Sequence, residues 1–165
     1  MILVEKASVE DISLIQKIAH TTWYPTFKDI LSEQQIEYML EMMYSTSSLK
    51  EQIEVKNHVF FIAKQGGLSL GFMSIELNYN HKPKTKIHKI YILPTAQGKG
   101  IGNVLMQKAE EFALEHKQDS ITLNVNRFNN AIGFYQKQGY QNIRTENIDI
   151  GKGYVMEDYV FEKPL

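Results

Sequence analysis

The stretch from Ile90 to Gly102 reads Ile Tyr Ile Leu Pro Thr Ala Gln Gly Lys Gly Ile Gly. A β-branched and aromatic run ends at Pro94, a short polar turn follows, and Gly98, Gly100 and Gly102 open an amphipathic run. A strand, a loop and a helix start in that order can hold a phosphate. The first amides of a helix have no intrahelical acceptor, and glycine lets an anion approach them closely. Two familiar glycine loops do not fit. A P-loop needs Ser or Thr after its lysine, whereas Gly100 follows Lys99, and a dinucleotide fingerprint needs glycine where Asn103 stands. What remains is Gln97, Gly100 and Gly102 in a QxxGxG arrangement directly after a strand.

Composition narrows the class. The chain has 165 residues, 43% of them hydrophobic and 22% charged, which fits one domain with its own core. With 18 basic against 19 acidic residues there is no global field to draw in nucleic acid or an anionic membrane, so neither is expected as a partner. Cysteine is absent, which removes disulfides, thiolate metal sites and a cysteine nucleophile. His20, His58, His81 and His116 show no metal-ligand spacing with one another or with carboxylates, so no metal is expected. Met1 to Lys6 lacks a basic and then apolar leader pattern, and no apolar run reaches membrane-spanning length. A cytoplasmic protein is the expectation.

The elements that must carry the glycine turn follow from periodicity. A first strand covers Ile2 to Lys6, and Ser8 with Asp11 starts a helix in capping-box fashion. Ile12, Ile15, Ala19 and Trp23 share one helical face until Pro25, where a helix is expected to stop, so that 23–27 is not continuous helix. Ser32 and Gln35 form a second capping box before the stripe Ile36, Met39, Leu40, Met43 and Tyr44, which reads as packing. A short helix follows from Leu49 to Lys56. Strands are expected at 59–63, 68–77 and 86–93, a long helix from Gly102 to about Lys117, a strand at 120–125, a helix at 129–138, and strands at 140–148 and 154–161. Helices crossing over between strands require a mixed sheet with at least one parallel pair, hence an α/β (α+β) fold.

With these residues in place, the sequence resembles the GCN5-related N-acetyltransferase (GNAT) family. The resemblance rests on Ile92 Leu93 Pro94 and Gln97 to Gly102. A second block lies in Asn129 Asn130 Ala131 Ile132 Gly133 Phe134 Tyr135, followed by Gly139 Tyr140. It implies a central mixed sheet of about six to seven strands with about four to five helices around it, the strand and helix order matching over nearly the whole chain. It also implies acetyl-CoA as co-substrate. The amides of Gln97, Gly98, Lys99, Gly100, Ile101, Gly102 and Asn103 would bind the pyrophosphate. The backbone of Ile90, Tyr91 and Ile92 would pair with the pantetheine arm where the fourth and fifth strands part. Asn129 or Asn130 would bond the cofactor. The common family asparagine, three residues before the alanine, is replaced by Phe128, which fits a loop shortened by one residue. Tyr135, about two turns or roughly 9 Å along the same helix, would protonate the departing thiolate.

An attacking amine must lose a proton, since an alkylammonium has a pKa near 10. His88 is the first candidate base, sharing by alternation a face with Ile90 and Ile92, and Glu76 is the second. The bland readings stay beside these: Tyr135 as a core aromatic, and His88 and Glu76 as structural or exposed groups. Trp23, Tyr24 and Phe27 follow the first helix, where the family builds its acceptor pocket, and read equally as pocket wall or core. Asp149, Glu157 and Asp158 flank Gly151 to Tyr154 and could attract a cationic amine, or be solvated. The expected reaction is acetyl transfer by direct attack in a ternary complex. The layout of Trp23 Tyr24 Pro25 Thr26 Phe27, the long helical insert and the Ile90 Tyr91 Ile92 strand is similar to the bacterial spermidine/spermine N-acetyltransferase branch, which implies a polyamine or other small amine as the first acceptor, with protein N-termini or lysines as the alternative. A non-catalytic acyl-CoA sensor is the reading from another class. Relatives pair through exposed strands or C-terminal elements, which leaves room for a homodimer.

Overall fold

In the computed structural model, which describes residues 1–165, the apolar alternation along the strands sorts two cores onto opposite faces of one sheet. Along β3 (Leu68–Glu76), Phe72 turns toward one face while Met73 and Ile75 turn toward the other. The seven strands β1 (Ile2–Lys6), β2 (Val59–Gln65), β3, β4 (Lys84–Ile92), β5 (Ser120–Asn126), β6 (Gln141–Gly151) and β7 (Tyr154–Pro164) lie in the order β1-β2-β3-β4-β5-β7-β6. Only β4 and β5 are parallel. They are joined by α4 (Ile101–Glu115), as a parallel pair requires. A two-residue turn at Lys152 and Gly153, both at positive φ, sends β7 back between β5 and β6.

One face carries α1 (Ile12–Phe27), α2 (Glu33–Tyr44) and α3 (Thr46–Glu54), packed through Ile15, Ile18, Trp23, Leu40 and Phe60. The other carries α4 and the six-residue α5 (Ile132–Lys137), packed through Leu105, Ala109, Tyr135 and Phe161. Burial of a side chain such as Ile15, Leu40, Leu105 or Phe161 stabilises the fold by about 1.5–3 kcal/mol each. No helix is long and apolar enough to cross a membrane.

Three local expectations need correction. The helix does not stop at Pro25 but runs through it to Phe27. Proline removes one helical hydrogen bond and crowds the preceding turn, at about 3 kcal/mol. Trp23 and Phe27 are both buried beside it, with ring centroids 4.5 Å apart, and the Thr26 hydroxyl donates to the Thr22 carbonyl at 2.7 Å within the same turn. Packing on both sides of the proline outweighs the local penalty. The second capping box is only half formed: Ser32 accepts from the Gln35 amide, but the Gln35 side chain reaches Val155 O at 3.2 Å on β7 instead. The Ser8–Asp11 box is complete, although a 3-10 turn at Val9–Asp11 precedes α1. Finally, the helix expected at 129–138 shrinks to α5. Asn129 Oδ1 accepts from the Ala131 amide at 2.8 Å, and this local bond holds the residues before Ile132 as a turn.

Candidate active site

The site begins where β4 and β5 part. Their parallel pairing ends at Ile87 opposite Leu123. Beyond it, β4 stays paired only with β3 and β5 only with β7. His88 to Ile92 therefore presents one free backbone edge to a cavity of about 1010 Å³. Gly71 on β3 explains how the edge is held: a Cβ there would meet the Tyr91 carbonyl at 2.8 Å, so only glycine allows the approach.

The free edge leads directly into the glycine turn. Gly98 and Gly100 adopt φ of 79° and 83°, and a Cβ on either would meet nothing within 4 Å. Backbone conformation requires these glycines, and open space lies above them. Gly102 differs, because a Cβ there would meet Phe134 Cζ at 3.1 Å, which makes it a packing residue between α4 and α5. No side chain caps α4, and its first helical bond runs from the Val104 amide to Gly100 O. The amides from Gly98 to Asn103 thus have no backbone acceptor, and the partial positive charge of the helix end gathers there.

Tyr135 reaches the cavity from α5. It is almost wholly buried, and burial raises its phenol well above the usual range, so the hydroxyl stays protonated at neutral pH. That hydroxyl has no partner in the protein and opens to the cavity, in contrast to the sealed hydroxyl of Tyr140. The two asparagines separate in role. Asn129 is occupied in the turn before α5, whereas the Asn130 side chain is uncommitted, and both line the cavity. Because α5 starts only at Ile132, neither asparagine shares a helix with Tyr135.

The position of His88 corrects a second expectation. The β3–β4 register slips between Ser74 and Ile75: Lys89 faces Ser74, Ile87 faces Ile75, and His88 is the extra residue of a bulge. The alternation that would align His88 with Ile90 and Ile92 is broken there. Ile90 and Ile92 pack against the α4 side, while His88 turns to Glu76 and His58. His88 Nε2 lies 2.8 Å from Glu76 Oε1, His58 Nε2 lies 3.3 Å from the same oxygen, and the two imidazoles stack at 4.2 Å. Burial, the stacked His58 ring and the charges of Lys89, Lys86 and Lys56 push His88 far below its ordinary pKa, and burial with Lys89 and Lys56 pushes His58 down to about 4. Both rings are neutral at physiological pH. With the His88 Nε2 hydrogen directed at the carboxylate, His88 Nδ1 is left as a free acceptor. The three ligand atoms also converge within reach of a single ion, which no sequence spacing announced. The surrounding lysines oppose a cation at that point.

Trp23 and Phe27 wall the cavity with Pro25 and Thr26, whereas Tyr24 lies outside it. Trp23 donates to the Tyr44 hydroxyl at 3.3 Å and packs against Tyr91 with centroids 5.7 Å apart, so it is wall and core at once. Gln97, Gly98, Gly100, Ile101, Gly102 and Asn103 line the cavity, while Lys99 is exposed beside it.

Other contributors were missed in the sequence. Met42 and Met43 of α2 reach the cavity, as do Ile148, Ile150 and Met156 of the β6–β7 hairpin. The hairpin is tied to α2 by Tyr38 Oη donating to Ile150 O at 2.6 Å. Lys89 is buried, donates to Gln52 Oε1 at 2.7 Å and sits over the rings of Tyr44 and Phe60. Burial, with a smaller contribution from Lys56, brings its pKa down to about 7. A lysine directly before the apolar run Ile90 to Ile92 was the available signal.

An acetyltransferase (GNAT) domain model matches residues 27–159. The chain belongs to the GNAT family. It is an acyl-CoA-dependent N-acetyltransferase, and its seven-stranded mixed sheet with five helices is the GNAT fold. An uncharacterized N-acetyltransferase, YuaI, of Bacillus subtilis is 28% identical over 152 residues, covering 91% of this chain and 86% of the relative. A spermidine N(1)-acetyltransferase of Thermoplasma acidophilum is 27% identical over 159 residues, covering 93% and 94%. Among solved structures, a PaiA N-acetyltransferase of Thermoplasma acidophilum in complex with coenzyme A superposes with a TM-score of 0.84 at 25% identity, covering 100% of this chain and 99% of that one. The parted strands and open glycine turn described above therefore sit in a GNAT chain similar to one that binds coenzyme A.

Proposed function

We propose that the protein transfers the acetyl group of acetyl-CoA to a small primary amine, with a polyamine as the first candidate, by direct attack in a ternary complex. The observation that carries this reading is the free edge of β4 leading, through a 3-10 turn at Pro94–Ala96 and the glycine turn, into an uncapped α4. By the alternation of the β3–β4 ladder, Ile90 and Ile92 turn their backbone groups to the free edge, where they match the amides of a pantetheine arm, while Tyr91 bonds β3 between them; the amides of Gly98 to Asn103 offer a pyrophosphate its donors. Lys99 is placed to add a charge from outside, and Asn130 is the uncommitted asparagine for the cofactor.

In this arrangement the amine enters between the hairpin and the wall formed by Trp23 and Phe27. His88 Nδ1 accepts the amine proton, and the Glu76 carboxylate stabilises the resulting imidazolium across the 2.8 Å contact. The amine nitrogen forms its bond to the acyl carbon, the carbon–sulfur bond breaks, and Tyr135 donates to the departing sulfur. The cavity's enclosure by the hairpin and α2 favours a small acceptor. The polyamine choice is supported by the similarity to the Thermoplasma spermidine enzyme along almost the full chain.

Thermal unfolding tests the cofactor half of the proposal. Acetyl-CoA at about 100 times its Kd is expected to stabilise the fold by about 2.7 kcal/mol, visible as a rise in Tm. ATP and NAD at equal concentration are expected to leave Tm unchanged. A larger shift with either nucleotide than with acetyl-CoA would overturn the assignment.

A further inference from the structure

A polar cluster on β5, β6 and β7 closes the far side of the cavity and has no part in the transfer steps above. Asp158 stands on β7 between Asn126 on β5 and Glu146 on β6. It is 7% exposed and lines the same cavity as Tyr135 and the free edge of β4. Its proximity to the reacting end is felt electrostatically: burial raises the Tyr91 phenol first, and Tyr135 and Asp158 raise it further.

The Asp158 carboxylate is under-used. Oδ2 accepts a single 3.3 Å bond from Asn124 Nδ2, and Oδ1 is buried with no partner. An ionised carboxylate has about four lone-pair sites. No neighbouring cation bonds it. Lys86 Nζ bonds Asn124 Oδ1 and lies over the Tyr79 ring, Arg144 Nε bonds Glu146 Oε1 at 2.8 Å, and Arg127 bonds Asn147 Oδ1 through Nη2 while its Nε is buried without a partner and its charge favours the Asp158 carboxylate from a distance. Burial raises the Asp158 carboxyl, and the Asn124 bond and Lys86 only partly oppose this. A buried anion short of donors is costly unless a ligand supplies them. Beside it the cavity wall is apolar, formed by Ile148, Ile150 and Met156, a surface suited to methylene groups.

We infer that Asp158 binds a second, non-reacting ammonium group of the acceptor, so that the preferred substrate is an alkyl diamine or longer polyamine. The attacking nitrogen must be neutral, whereas a nitrogen held by a carboxylate stays protonated. The two requirements therefore call for two amino groups joined by an apolar chain. This inference rests on the amine-transferase reading and assigns the residue that reads the acceptor's charge.

Asp158→Asn keeps the shape and an acceptor for Asn124 while removing the charge. For 1,4-diaminobutane the variant is expected to lose about 10- to 100-fold in kcat/KM, mostly through KM, as for loss of a hydrogen bond to a charged group. Butylamine is expected to change by no more than about threefold, because it lacks the second ammonium. Acetyl-CoA affinity by calorimetry should be unchanged, and Asp158→Glu should restore part of the diamine preference. Equal losses for both amines, or no loss for the diamine, would overturn the inference while leaving the transferase reading intact. Acetyl-CoA binding without thiol release from any amine in the wild-type protein would overturn both.

Discussion

Tyr135→Phe is expected to lower kcat by about 10²- to 10⁴-fold, the usual contribution of a positioned acid, with acetyl-CoA affinity unchanged. The ring keeps its place, packed near Tyr140 and Phe161 at centroid distances of 6.3 and 6.5 Å, so loss of the hydroxyl removes no core contact. The hydroxyl is protonated at every physiological pH because burial raises it. A phenol so far above a thiol, near 8.5 in cysteine, does not remain ionised after the step. It acts as a donor to the developing thiolate and regains its proton from solvent. A stopped assay of CoA formation at saturating acetyl-CoA reads this directly. Retention of more than about a third of wild-type kcat would return Tyr135 to the role of a core aromatic.

His88→Gln is expected to cost about 10²- to 10³-fold in kcat/KM without altering the shape of the pH profile. The sign follows from the depressed imidazole. A base whose pKa in the free enzyme lies far below its ordinary value is already neutral throughout the accessible range, so its own titration does not produce the acidic limb. The limb instead follows the neutral fraction of the amine, rising about tenfold per pH unit below its pKa near 10. The substitution leaves this slope and removes the acceptor beside Glu76. Activity within about threefold of wild type would mean that the proton leaves through water without the imidazole.

The parts of the site built from backbone were legible in the sequence. Gly98 and Gly100 announce positive φ, Pro94 ends a strand, and the absence of a capping side chain at the start of α4 leaves donors free. All of this lies within a few residues. A parallel pair was legible for a similar reason, since a helix crossing over between two neighbouring strands fixes their parallel sense, as between β4 and β5. What depended on distant partners was not legible. The group of His58, Glu76 and His88 exists because the start of β2 lies beside the end of β3, which pairs with β4, and a bulge turns His88 away from Ile90. Asp158 reaches the cavity because β7 inserts between β5 and β6, a placement that the sequence order conceals. Pro25 misled because its penalty is local while the burial of Trp23 and Phe27 is tertiary. Asn129 misled in the opposite direction, its side chain holding a turn where periodicity extended a helix.

In the proposed reaction the gap between β4 and β5 holds acetyl-CoA and an amine together for direct transfer. Initial rates of CoA release, measured with acetyl-CoA and 1,4-diaminobutane varied against each other, test it most directly. Amine-dependent release with intersecting double-reciprocal lines is expected, as for a ternary complex. Parallel lines, signifying an acetylated enzyme, or release no faster with amine than without it, would contradict it.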